Sequence, residues 1–185
     1  MNKLFIGGSR KVTYINKEVK VVIDKIMKDN CLILIGDANG VDKSVQKYLK
    51  NHEYNNIEVF CMENKCRNNI GSWIVRQISA ARAKKDYIYY STKDKKMAEE
   101  ASAGLMVWDG KSFGTILNVY RLAKQRKKVD IYINPRKKLL VINNLDDFKG
   151  FMLTCTKELQ DKIDDYNIEC SRDVSKQRNL FEITL

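Results

Sequence analysis

Proline and histidine are nearly missing from this chain, with one of each in 185 residues. A single proline excludes a Pro-rich linker between separate pieces. A single histidine, His52, leaves nothing to complete a Ser-His-Asp or Cys-His set, and it falls at a polar helix end that reads as exposed. No apolar run approaches the roughly 20 residues that would span a membrane. The opening MNKLFIGGS has one short apolar patch followed by glycines, so it reads as a first strand and not as a secretory signal. Paired cysteine spacing is missing too. Cys31, Cys61, Cys66, Cys155 and Cys170 are odd in number and irregular, whereas a zinc site needs four ligands at tight, paired spacing. They read as free thiols in a reducing cytoplasm. No metal, cofactor or membrane is expected.

What remains is a chain that can build a core. It is 44% hydrophobic and of a length that suits one domain with a small appendage. The net charge of +11 favours anionic partners, namely nucleotides, nucleic acid or an acidic protein surface; a merely solvated basic surface would look the same. No basic run is interleaved with aromatics as single-strand binders require, so nucleic acid ranks below a small molecule.

Apolar runs alternate with amphipathic stretches. Strands are predicted at 3–7, 31–36, 57–61, 104–108 and 129–133, and the second is apolar on both faces, as in a buried parallel sheet. A helix over 17–28 places Val19, Val22, Ile23, Ile26 and Met27 on one face. A second turns Val41, Val45, Tyr48 and Leu49 inward, and another before the fifth strand carries Ile116, Val119, Tyr120 and Ala123. The stretch 62–72 reads as a polar loop. Residues 73–101 read as helical segments with a break near Tyr89–Thr92. The alternation predicts an α/β, three-layer sandwich with a mainly parallel sheet. Residues 1–135 form the expected nucleotide-binding domain. Residues 136–185 form a C-terminal appendage packed on the core, with a strand at 138–142, one or two helices over 145–166 and a short apolar strand-like end.

Three turns at strand ends and one cluster carry candidate chemistry. The first turn is Gly7-Gly8-Ser9-Arg10, which combines close backbone approach, a hydroxyl and a planar cation. The second runs from Gly36 and Asp37 through Gly40 to Asp42, which fits a helix N-cap. The third runs Asp109-Gly110-Lys111-Ser112-Phe113-Gly114-Thr115, a strand–loop–helix of the kind that cradles phosphate on backbone N–H groups. The cluster is Lys93-Asp94 with Lys95 and Lys96, near a helix start. Asp37, Asp94 and Asp109 are the catalytic candidates, although each acidic residue here also reads as a cap or turn hydrogen bond. Glycine and aspartate are common in any such turn, but open α/β sheets bind ligands at these strand ends. Neither a Walker A nor a G-x-G-x-x-G motif is present, which excludes a standard NTPase or dehydrogenase. Trp73 and Trp108 read as core or cleft wall; Tyr87, Tyr89 and Tyr90 read as core, with a base pocket as the alternative.

Taken together, FIGGSR (5–10), LIGDANGVD (34–42), KDKKMAEEASAGLMVWDGKSFGT (93–115) and VDIYI (129–133) resemble the SLOG superfamily of Rossmann-like proteins. The YspA-type branch is the nearer likeness, and the LOG phosphoribohydrolases and the DNA-processing protein A family are more distant. The resemblance implies a cleft for a nucleotide or nucleotide derivative. In LOG enzymes a P-G-G-x-G-T-x-E-E loop binds phosphate; Gly110 to Thr115 look like that loop, with Leu117 and Asn118 at the positions of its glutamates. An arginine that LOG enzymes place ahead of a methionine corresponds to the stretch Lys93 to Met97. The expected function is therefore binding of a nucleotide-derived molecule by a sensor or regulator. Hydrolysis or transfer at a nucleotide N-glycosidic bond is the enzymatic alternative, and single-stranded DNA binding is the third. The resemblance also implies a homodimer.

Overall fold

In the computed structural model the described residues are 2–63, 66–80 and 87–167. Contacts divide the chain into Met1–Phe148 and Lys149–Leu185. The first unit is built on a seven-stranded sheet. Its elements are β1 (Lys3–Gly8), α1 (Lys17–Lys28), β2 (Leu32–Gly36), α2 (Val41–Asn51), β3 (Ile57–Met62), β4 (Ile74–Ile78), α3 (Tyr87–Glu100), β5 (Ala103–Trp108), α4 (Phe113–Lys124), β6 (Lys128–Ile133) and β7 (Lys138–Ile142). The strands lie in the order β4-β3-β2-β1-β5-β6-β7. Every pairing is parallel except β6 with β7. Helices cover both faces, which gives the Rossmann-like three-layer sandwich that the alternation predicts.

The pleat sorts the core. Ile6, Ile33, Ile35, Val59 and Val107 point to one face and pack with Val19, Ile23 and Ile26 of α1 and Val41, Val45 and Leu49 of α2. These are the helical positions that periodicity picks out, with Tyr48 half-buried. Intervening residues such as Phe5, Leu34 and Met106 are equally buried and, by alternation, face the other layer. There α4 lies nearly enclosed, with nine of its twelve residues buried. All five β2 residues are buried, as its unbroken apolar run requires.

Three local readings are corrected. Residues 74–78 are not helical: they form β4, paired in parallel with β3 from Glu58↔Ile74 to Met62↔Ile78. The run IVRQI is short and β-branched, and its half-exposed edge position lets it alternate like a helix surface. The helix that follows is unbroken from Tyr87 to Glu100, so Lys93 and Asp94 sit in its middle and not near its start. Cys61 and Cys66 are not free thiols. They form a disulfide with Cα atoms 5.1 Å apart, because the chain turns back at Glu63 (φ 52°) as it leaves β3. Cys31 and Cys155 are not disulfide-bonded.

The strand at 138–142, read from sequence as part of the appendage, is the last strand of the sheet. It is followed by α5 (Leu145–Met152). The second unit contains a helix over 157–167 that buries Leu159 and Ile163. The apolar C-terminal stretch and Cys170 lie outside the described residues. Among the described residues no helix is long and apolar enough to cross a membrane.

Candidate functional site

Strand order fixes where a cleft forms. β1 pairs with β2 on one side and β5 on the other, and the helices that follow β1 and β5 go to opposite faces. The loops leaving β1 and β5 therefore part, and the crevice between them opens at the carboxyl ends of the strands. A cleft of about 640 Å³ lies there. Gly7, Gly8, Arg10 and Lys11 line it from β1 and the loop after it. Ala38 and Asp42 line it from the β2–α2 turn, and Asp109, Lys111, Ser112 and Gly114 from the β5–α4 turn. Tyr90, Lys93 and Asp94 reach it from α3. Ser9, Gly36, Asp37, Gly40, Gly110 and Thr115 do not line the cleft; several of them build its walls.

The wall between β1 and α4 is a chain of hydroxyls. The Asp109 amide donates to Ser9 Oγ at 3.1 Å, Ser9 Oγ lies 3.2 Å from Thr115 Oγ1, and Thr115 Oγ1 donates to Ser112 Oγ at 3.2 Å. Ser9 and Thr115 are buried, so their hydroxyls join two strand ends and do not face the cleft. The Asp109 carboxylate accepts from the amides of Lys111 (3.0 Å) and Ser112 (2.7 Å). This turn engages two of the N–H groups that the sequence offers to a phosphate. The amide of Gly114 belongs to the first turn of α4, where a helix has no internal acceptor for it.

The β2–α2 turn is built differently from its sequence reading. Gly40, not Asp42, is the N-cap of α2. Its φ of +83° is a left-handed geometry, and a side chain there would run into the Arg10 backbone. Asp42 lies in the first turn of the helix and reaches back to accept from the Ala38 amide at 3.1 Å. A side chain at Gly36 would collide with the Asp42 carboxylate and the Lys93 ammonium, so the glycine leaves room for both buried groups.

A charged cluster lines part of the cleft. Lys93, 4% exposed, donates to Asp94 at 2.8 Å and lies 3.9 Å from Asp37. Asp37, 2% exposed, accepts from the Arg67 backbone amide (3.0 Å), from its Nε (3.1 Å) and from its second guanidinium nitrogen. Burial works to raise the Asp37 carboxyl, but the Arg67 hydrogen bonds and the Lys93 charge outweigh it and hold it below the ordinary range. Asp94 is likewise held low against burial by Lys93, with Arg121 and a hydrogen bond from Asn118 helping. Asp42 goes the other way. Burial, joined by the neighbouring Asp94 and Asp37 charges, pushes it up to about 6 despite Lys93. Burial opposes the charge on Lys93, but Asp94, Asp42 and Asp37 raise its pKa overall.

Sequence reasoning missed Arg67 and Arg121, and named Asn118 only as standing at a position of the LOG loop's glutamates. Arg67 falls in a polar loop 30 residues from Asp37, and only the buried carboxylate, which needs a cation, hints at such a partner. The Arg67 guanidinium also lies 4.9 Å from the Tyr90 ring centre, with Arg10 at 5.8 Å. Arg121 donates to Asn118 Oδ1 and to Ser91, fixing Asn118 at the cleft. Tyr89 is core, as read, whereas Tyr90 lines the cleft; the Tyr87 side chain lies outside the described residues. Trp73 and Trp108 are buried and their indole N–H groups bond Tyr54 O and Ser112 O. His52 is exposed at the end of α2. Among the described residues no group of His, Cys, Asp or Glu has the makings of a metal site. Comparison with family profiles, curated proteins and solved structures gives no match.

Proposed function

We propose that the cleft binds a nucleotide or nucleotide-derived small molecule and that the protein acts as a sensor or regulator. The observation that carries this reading is the convergence of three features on one crevice: the amino end of α4, a surplus of cations, and the Tyr90 ring beside two guanidinium groups. A helix amino end favours a phosphate, and an aromatic face favours a base. The SLOG resemblance of the strand-end motifs supports the same assignment, and with it a homodimer. Calorimetry with a panel of nucleotides, together with mass spectrometry of material carried through purification, tests the proposal. Saturable micromolar binding of one nucleotide is the expected result, and a silent panel refutes it.

A second reading is favoured by a different observation. Asp42 and Asp94 line the same cleft with ionisation pushed in opposite directions, the pattern of an acid and an anion that share a reaction. Cleavage or transfer at an N-glycosidic bond would use such a pair. Release of free base from a bound nucleotide, lost in Asp94→Asn, would establish it; an intact nucleotide after long incubation leaves the protein a binder.

A further inference from the structure

The charges around the cleft are not equally engaged, and this distinguishes one class of nucleotide from another. Among the described residues five cations line it. Arg67 is matched to Asp37 and Lys93 to Asp94. The other three, Arg10, Lys11 and Lys111, have no carboxylate partner among the described residues, and all three are exposed. Two of them follow β1 and one follows β5. These strands are direct neighbours, with Gly8 opposite Val107, so their ends lie about 5 Å apart. A monophosphate carries less negative charge than these three cations can match, whereas the two linked phosphates of a diphosphate balance all three.

We infer that the cleft is built for a nucleoside diphosphate, with one phosphate against Lys111 at the start of α4 and the other against Arg10 and Lys11. This rests on the nucleotide-binding reading and narrows it to a substrate class. Asp109 Oδ1 is held by the Lys111 and Ser112 amides, and among the described residues the carboxylate makes no ion pair with these cations. Asp37 is covered by Arg67 and Lys93.

The test is calorimetry at physiological salt with the mono- and diphosphates of adenosine, guanosine and uridine, and with inorganic pyrophosphate as competitor. The diphosphate of the preferred base should bind at least about tenfold tighter than its monophosphate, the worth of one charge-assisted hydrogen bond. Pyrophosphate should displace it. Lys111→Ala and the double variant Arg10→Ala/Lys11→Ala should each erase the advantage, and because all three residues are exposed, their melting curves should match the parent. Equal affinity for mono- and diphosphates overturns this inference and leaves the nucleotide reading standing. A diphosphate advantage that persists in both variants overturns it as well. Absence of binding by every nucleotide overturns both.

Discussion

Asp42 and Asp37 belong to one cluster and respond to pH in opposite directions. Folded Asp42 gives up its proton near 6, whereas its ordinary value is 3.8. Between those values the folded chain holds a proton that the unfolded chain has lost, so this group's contribution is complete below 3.8 and disappears as pH rises through about 6. At neutral pH its ionisation costs about 3 kcal/mol. Asp37 and Asp94 are held low, so they stabilise above 3.8 and lose that contribution only as pH falls further. Asp42→Asn should therefore flatten the stability profile between 3.8 and about 6, as measured by urea unfolding at a series of pH values. A profile that keeps the parent's slope there would assign the proton elsewhere. Arg67→Ala removes the guanidinium from a buried carboxylate. Because Lys93 and a backbone amide remain, and Arg67 is itself half-exposed, the loss should be about 2 kcal/mol, less than for a fully buried pair. Denaturant midpoints would measure it.

The amino end of α4 has two roles that separate cleanly by residue. Gly114 lines the cleft in the first helical turn. Gly114→Leu should abolish nucleotide binding in calorimetry while leaving the fold intact, since leucine is the better helix former. Unchanged affinity would place the phosphate elsewhere. Thr115 is one position on and buried, with its hydroxyl joining Ser9 to Ser112. Thr115→Ala should lower stability by about 1 kcal/mol, the net worth of a hydrogen bond, and leave the exposed cations in place. The β3–β4 region is equally divided. The Cys61–Cys66 disulfide sits directly before Arg67, and Asn68 then donates to the Asp37 carbonyl oxygen, so one short segment secures both the sheet edge and the charged cluster.

Across the whole molecule, the charge of +11 acts at long range and the cleft at short range. If charge is the source of any affinity for single-stranded DNA, that affinity should be weak and collapse between low and physiological salt in a fluorescence titration. Tight, salt-resistant binding would promote nucleic acid above the nucleotide. The proposed homodimer is checked by light scattering, where a monomer at high concentration would refute it. The exposed Ile74 and Val75 of the edge strand β4 are the surface to substitute in that test.

Local periodicity determined much of this protein unaided. The apolar run at 32–36 needs two covered faces, and the stripe Val19, Ile23, Ile26 needs a sheet beneath it; each requirement is met by the alternation of strand and helix alone. The glycine turns after β1, β2 and β5 are legible for the same reason, since they break a periodic pattern with residues that suit tight backbone. Strand order, and with it the crevice between β1 and β5, came only from pairing at long range. So did β4, whose five residues carry too few periods to tell a half-exposed strand from a helix face. The disulfide and the Arg67–Asp37 pair escaped sequence reading because both depend on how the chain turns after Met62. Asp42 shows the division most plainly: the sequence offered a cap, and tertiary burial beside Lys93, Asp94 and Asp37 made it an acid, because the energy of a charge depends on what surrounds it in space and not on its neighbours in the chain.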